Sequence, residues 1–219
     1  MAITATQVKE LRDATGAGMM DCKRALEEKN GNFDDAVKYL REKGMAKAAK
    51  RASKVASEGA VASYIHMGGK IGVLVEVNCE TDFVARGDAF QGFVKDLCLQ
   101  ICSAAPLWIT KEEVPAAAYN DEKEVYVKQA AETGKPQNIC EKIAEGKMSK
   151  WFSEVCLLEQ PFVKDDKKKI SDLIAEFTAK CGEKIVVRRF VRYQLGEGIE
   201  KEHTDFAAEV AAELAKVSQ

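Results

Sequence analysis

Hydrophobic residues in the first 45 positions recur every three or four residues, as on one face of a helix, in three successive short stretches. The first stretch opens with a Thr-x-x-Gln capping box formed by Thr4 and Gln7, and Gly44 is expected to end the third. We therefore predict a domain of three helices over residues 1–45. The basic, alanine-rich stretch over 46–58 offers little apolar surface to bury, which favours a solvated linker helix.

From Gly59 onward the pattern changes to the alternation of side chains that is typical of a strand. A turn at Gly68 and Gly69 separates this stretch from an apolar stretch over 71–77, so the two predict an antiparallel β-hairpin. After the segment 81–87, apolar residues return to helical spacing and predict a helix packed on the sheet. Its apolar positions are Phe90, Val94, Leu97 and Ile101.

The second half of the chain mixes helical and strand patterns. Two helical segments on either side of a turn at 134–136 predict a helical hairpin at about 116–153. A charged turn is expected over 164–169 and a helix over 170–180. The stretch 185–195 is rich in β-branched and aromatic residues and predicts a further strand with at least one solvated face.

These elements predict an α+β protein whose core domain, an antiparallel sheet with packed helices, extends over residues 59–200. A C-terminal helical module is expected over 201–219. Its apolar residues repeat every four positions and form a short stripe, which must pack either on its own domain or in the groove of a partner. They are Phe206, Val210 and Leu214.

The charge of the chain is nearly balanced, because 33 Lys and Arg residues stand against 35 Asp and Glu residues. The net charge of -2 gives no overall attraction to nucleic acid or to an anionic membrane. Apolar runs such as 71–77 are far shorter than the roughly 20 residues that cross a bilayer, and the pattern of a secretion signal is absent. We therefore expect a cytoplasmic protein that binds neither nucleic acid nor membranes.

Residues that could carry out catalysis are few and scattered. The chain has two histidines, His66 and His203, and seven widely spread cysteines, which we expect to be buried thiols and not disulfides or metal ligands. A phosphate-binding glycine loop is missing. The residues alone favour a binding protein over an enzyme, with no cofactor or metal of its own. A thiol enzyme is the alternative, and it would need a cysteine with a low pKa.

Three stretches of the sequence resemble motifs of the elongation factor Ts family. They are LRDATGAGMMDCK at 11–23, EVNCETDFVAR at 76–86 and LGEGIEK at 195–201, and shorter matches at 145–148 and 160–163 follow in the family's order. The resemblance implies that the N-terminal helices form a UBA-like (ubiquitin-associated-type) domain. It also implies a guanine nucleotide exchange factor for the GTPase elongation factor Tu. Such a factor binds the GDP-bound and nucleotide-free partner, and it disturbs the partner's magnesium site so that GDP leaves and GTP can bind.

The resemblance also implies roles for particular residues. It places Met19 and Met20 on the G domain of elongation factor Tu, although both could instead close the core of the three-helix domain. It also implies that residues 81–84, which we call the wedge motif, enter the partner near its magnesium ion. The residues alone would instead predict that Phe83 is a packed residue at a helix start. The partner-binding residues that it implies are Met19, Met20, His66, Thr81, Asp82, Phe83, Val84, Phe206 and Val210.

Longer members of the family carry two copies of the core subdomain, whereas this chain has a single hairpin of that type and resembles the short form. Because two short chains can pair to supply what one long chain contains, we expect a homodimer. His66 is equally consistent with a solvated turn histidine, and Gly87 stands where the family often has a polar residue. The alternative function is a generic UBA-type protein-binding module without exchange activity.

Overall fold

The structure is a computed structural model that describes residues 3–51, 53–132, 134 and 136–199. Over these residues the chain has three N-terminal helices, then an antiparallel sheet with further helices packed on it. The predicted α+β class is confirmed. The C-terminal module predicted at 201–219, with Phe206 and Val210, lies outside the described residues.

The N-terminal helices are α1 (Ala5–Thr15), α2 (Met19–Glu28) and α3 (Phe33–Arg51). The predicted capping box is present, since the Gln7 backbone N–H donates to Thr4 Oγ1 at 3.3 Å and the Thr4 N–H donates to Gln7 Oε1 at 2.9 Å. One buried cluster joins the three helices, because apolar residues at helical spacing face one another. Its fully buried members are Leu11, Cys22, Ala25, Leu26 and Ala36.

Helix α3 continues past Gly44 to Arg51, so the predicted helix end at Gly44 and the separate linker helix over 46–58 are wrong. A Cβ placed on Gly44 would lie 3.5 Å from the Cβ of Ala179 in a later helix. The glycine therefore lies where two helices approach closely and does not act as a helix stop. Through this contact the extended helix packs the N-terminal helices against a helix of the core.

The main sheet contains β1 (Glu58–His66), β2 (Ile71–Cys79) and β5 (Val186–Gln194), with β2 in the centre and both pairings antiparallel. The predicted hairpin and final strand are confirmed. Two core helices, α5 (Asp88–Ala104) and α8 (Ile170–Cys181), contribute to the same buried cluster as the inner face of the sheet. The inner face of β2 is formed by Val73, Val75 and Val77.

The predicted helical hairpin is present as α6 (Ala116–Ala131) and α7 (Gln137–Val155). Its seam is thin, and its buried residues are small or slender: Ala130, Cys140, Ala144 and Met148. At its base, the rings of Tyr119 and Phe152 stack at 6.1 Å between centroids. The backbone N–H groups of Leu107 and Trp108 donate to the Val155 carbonyl at 2.8 and 3.1 Å, which joins the end of α7 to the segment after α5.

A small second sheet pairs β3 (Pro161–Phe162) with β4 (Asp165–Lys169). The charged turn predicted over 164–169 is therefore wrong, because most of it forms a strand. Among the described residues, no helix combines the length and apolar character that a bilayer span requires.

Candidate interface for a partner protein

The wedge motif directly follows the central strand and begins a short helix, α4 (Asp82–Arg86). Thr81 caps this helix, and its hydroxyl accepts a hydrogen bond from the Val84 N–H at 3.4 Å. Phe83 lies on the outer side of the helix with 85% of its surface exposed. The interpretation of Phe83 as a packed residue at a helix start is therefore wrong, and its ring is available to another molecule.

An open groove of about 530 Å³ lies beside Phe83. We call it the Phe83 groove, and its apolar lining includes Phe83, Val84, Phe90, Phe177 and Cys181. Phe90 is buried in the core, and Phe177 packs against it with ring centroids 6.3 Å apart. The floor of the groove is therefore rigid core, while its rim carries an exposed aromatic ring. This combination suits the docking of apolar side chains from a partner.

Two carboxylates tie the start of the wedge motif to the loop after α8. Glu183 accepts hydrogen bonds from the backbone N–H of Glu80 and of Thr81, at 3.1 and 3.0 Å, and from the Thr81 hydroxyl at 2.6 Å. In the opposite direction, Glu80 accepts from the Lys184 N–H at 2.7 Å and from Arg51 at 2.9 Å. We call this arrangement the carboxylate clamp. The Lys184 N–H and Arg51 hold the pKa of Glu80 below its ordinary value of 4.5.

Met19 and Met20 begin α2 and are 49% and 65% exposed. The core of the three-helix unit is instead filled by residues such as Cys22 and Leu26, one turn or more further along the helix. The interpretation in which both methionines close that core is therefore wrong. Two adjacent, pliable thioether side chains stand free at the surface, as is common at protein-binding sites.

The loop before Met19 and the wedge motif both lie near the C-terminal half of α8. Lys180 lies 3.8 Å from the Cβ position of Gly16, in the loop that precedes Met19. On the same half of the helix, Phe177 and Cys181 line the Phe83 groove. The structure therefore brings together two of the features that the sequence predicted as partner contacts.

His66 lies away from both, at the far end of β1. Since Glu58 and not His66 pairs with Cys79, the wedge motif leaves the sheet at the opposite end of the hairpin. With a rise of about 3.3 Å per residue, the two ends are about 27 Å apart. His66 Nδ1 lies 2.9 Å from the Tyr64 hydroxyl, and the two rings stack at 5.7 Å. The histidine is half-buried and held in one orientation.

Comparison with known proteins decides the family. The sequence profile of the family described as elongation factor TS matches residues 2–197. Proteins named elongation factor Ts from Geobacter metallireducens and Geobacter sulfurreducens are 60% and 59% identical to this chain over 212 residues. A third, from Desulforamulus reducens, is 57% identical. In each case the match covers 97% of this chain and 98% of the relative.

The chain belongs to the elongation factor Ts family. The resemblance stated from the sequence motifs is confirmed, and the role of the protein lies in translation elongation.

The cysteines of this elongation factor Ts family member lie mostly in its interior. Six of the seven are buried and Cys181 is partly exposed, as predicted for structural thiols. Burial raises the pKa of Cys79, Cys98 and Cys156 to about 11. It also raises the pKa of Cys22 and Cys181. A thiol enzyme would need the opposite shift, so these five thiols do not support that alternative.

The sheet of this elongation factor Ts family member also carries an exposed apolar face that the sequence analysis did not identify. Side chains that alternate with the buried ones point outward, and we call them the outer-face patch: Val61, Ile65, Leu74, Val191 and Tyr193. Their exposed fractions run from 45% to 72%. At its edge, hydrogen bonds from Arg188 and Arg189 lower the pKa of Glu76. The alternation of Val61 and Ile65 with Ala62 and Tyr64 was the available signal.

Proposed function

We propose that this protein is a guanine nucleotide exchange factor for elongation factor Tu. The observation that carries the proposal is the 85% exposure of Phe83 on a capped helix beside an open apolar groove. An aromatic ring of this size stabilises a complex when it is buried, and it contributes little where it stands in the free protein. Membership of the elongation factor Ts family supports the choice of partner.

In the proposed mechanism, the wedge motif enters the GTPase beside the elements that position its magnesium ion. That ion bridges phosphate oxygens and demands near-ideal geometry, so a small displacement of its supports weakens GDP binding. Packed elements shift between discrete arrangements, and one inserted ring, Phe83, can favour the arrangement with poor metal geometry. Asp82 and Val84 flank the ring and complete the contact.

The exchange follows from linkage and needs no covalent step. If the protein weakens GDP binding to elongation factor Tu by some factor, then GDP weakens binding of the protein by the same factor. Each ligand can therefore displace the other, and GTP completes the cycle. The protein acts without a catalytic residue or cofactor of its own.

Met19 and Met20 form a second contact in this proposal, on the G domain of the partner. Their exposure and their position at the start of α2 support it. His66 is a third contact, about 27 Å from the wedge motif, which a partner of several domains can span. Phe206 and Val210 remain proposed contacts outside the described residues.

We further infer that two copies of the chain pair through the outer-face patch. Five exposed apolar side chains on one sheet face form the kind of surface that a second molecule covers. A face-to-face pair would bury the patch in a two-layer sandwich, which is a common packing for sheets. The short form of the chain, with one hairpin, supports pairing between two identical copies.

The decisive experiment measures release of a fluorescent GDP from elongation factor Tu with increasing amounts of this protein. We expect strong acceleration that saturates, and a Met19→Ala/Met20→Ala variant that needs more protein to reach the same rate. A protein that binds elongation factor Tu without accelerating release would instead be the generic UBA-type binding module. Absence of both binding and acceleration would refute the proposed partner.

A further inference from the structure

The start of the wedge motif depends on one carboxylate from a distant part of the chain. Glu183 follows α8, and its carboxylate accepts three hydrogen bonds from Glu80 and Thr81, more than 100 positions earlier. Two of the donors are backbone N–H groups, which are fixed by the path of the chain. Hydrogen bonds to a charged acceptor are stronger than neutral ones. The carboxylate of Glu183 therefore sets the direction in which the chain leaves β2.

The third hydrogen bond extends this control to the helix. The Thr81 hydroxyl donates its proton to Glu183 at 2.6 Å and accepts from the Val84 N–H at 3.4 Å. Because a hydroxyl has a single proton, donation to Glu183 leaves its lone pairs facing the N–H groups at the helix start. The carboxylate thus selects the orientation of Thr81 that caps α4.

Near the start of helix α4, Val84 and Ala85 pack against the core, and the Cys79 thiol donates to the Thr81 carbonyl at 3.1 Å. The helix itself is short. It is five residues long, far shorter than an isolated helix needs to be stable, and only Ala85 is buried. The ion pair between Asp82 and Arg86 is highly exposed and contributes little. At its far end, the Gln91 side chain donates to the Ala85 carbonyl at 2.7 Å. The carboxylate clamp adds three hydrogen bonds to a charged group at the beginning of the helix, where Phe83 lies.

We propose that Glu183 is a positioning residue for nucleotide exchange, which holds Thr81 and α4 so that Phe83 projects toward the partner. The inference rests on the proposed exchange function. Without the Glu183 carboxylate, α4 samples other orientations, and the partner must order the wedge motif during the reaction. That ordering lowers the rate of GDP release from the complex more than it lowers the first encounter, since Met19 and Met20 still engage.

The test compares Glu183→Ala with Glu124→Ala, a matched control. Glu124 lies on α6 and pairs only with Lys128 along its own helix. GDP release from elongation factor Tu is followed over a range of exchange-factor concentrations, which separates the maximal rate from the half-saturating concentration. We expect Glu183→Ala to lower the maximal rate about tenfold, as for loss of a hydrogen bond to a charged group. The half-saturating concentration should change less than about threefold, and Glu124→Ala should match the wild type.

A second measurement tests the carboxylate clamp in the free protein, without elongation factor Tu. Amide hydrogen exchange of Glu80, Thr81 and Val84 should speed up about tenfold or more in Glu183→Ala, with the melting temperature of the whole protein nearly unchanged. Thr81→Val, which removes the hydroxyl alone, should expose the Val84 amide and lower the maximal rate, and Thr81→Ser should restore both. Thr81→Val keeps the inference testable if Glu183→Ala does not fold.

The two measurements separate failure of the inference from failure of the proposed function. Unchanged amide exchange in Glu183→Ala would overturn the clamp, whatever the exchange activity. Faster amide exchange with an unchanged maximal rate would overturn the positioning role. A wild-type protein that releases no GDP would refute the proposed function and this role with it, while the amide data would still report on the clamp.

Discussion

Removal of the Phe83 ring is the most direct perturbation of the proposed interface. In the free protein the residue is 85% exposed, so Phe83→Ala removes few internal contacts. Surface substitutions of this kind usually change the free energy of unfolding by less than about 0.5 kcal/mol. Any large effect of the variant must therefore arise in the complex with elongation factor Tu and not in the fold.

The size of that effect follows from the area still available for burial. Full burial of a Phe side chain is worth about 1.5 to 3 kcal/mol. Since 85% of Phe83 is exposed before binding, complete burial at the partner should contribute about 1.3 to 2.6 kcal/mol. A loss of that size lowers the rate constant for GDP release per unit of exchange factor about 10- to 80-fold.

The assay is stopped-flow release of a fluorescent GDP from elongation factor Tu, with thermal unfolding of each variant alongside. Leu107→Ala is the matched control, because Leu107 is 63% exposed and belongs to neither the wedge motif nor the Phe83 groove. We expect Leu107→Ala to retain the wild-type rate. If Phe83→Ala also stays within about twofold of the wild type, the ring is not buried at the partner and the wedge mechanism is refuted.

Four further predictions concern stability and assembly. Gly59→Ala should destabilise the protein by at least about 2 kcal/mol in urea unfolding, because the new Cβ would lie 2.1 Å from the Val77 carbonyl oxygen. By contrast, Gly92→Ala in α5 meets no atom within 4 Å and should stabilise by about 0.5 to 1 kcal/mol. The pKa of Glu80 is lowered in the folded state, so its contribution should be complete above the ordinary value of 4.5 and lost as the pH falls through the lower folded-state pKa. Urea unfolding of Glu80→Gln should accordingly depend less on pH in that acidic range, and equal dependence would contradict the assignment. Finally, Leu74→Lys should convert a dimer to a monomer in sedimentation, and an unchanged sedimentation coefficient would contradict pairing through the outer-face patch.

The sequence predicted the elements well where they depend on contacts between residues close together in the chain. The capping box of Thr4 and Gln7 and the alternation after Gly59 depend on neighbours within a few positions. The predicted helix end at Gly44 is wrong because this glycine serves a tertiary contact, the close approach of α3 to Ala179 in α8. The strand β4 was not predicted for a similar reason. Asp165–Lys169 has no apolar alternation, and it forms a strand through its pairing with β3.

The site was predictable only in part for the same physical reason. Phe83 at a helix start has the pattern of a packed residue, and only the three-dimensional path of α4 leaves it exposed. Its proposed role comes from the resemblance of the motif to the family and not from the spacing of residues. Glu183 carried no local signal at all, because its partners Glu80 and Thr81 lie 103 and 102 positions away. A long-range contact of this kind becomes visible only when the chain is folded.

The continuous helix α3 links the two proposed contacts into one rigid surface. Arg41, in its middle, pairs with the buried Asp172 of α8, and Arg51, at its end, binds both oxygens of Glu80. The same Glu80 immediately precedes the wedge motif, so α3, which shares a core with the helix that begins at Met19, also anchors the base of the wedge. A fixed spacing between two contacts makes the second contact intramolecular once the first has formed. In the proposed mechanism, the same anchoring limits how far the wedge motif can move when it is pressed against the partner. An exchange factor that works by distortion needs to move less than the site it distorts, and in this proposal the contacts of α3 with Asp172 and Glu80 restrict that movement.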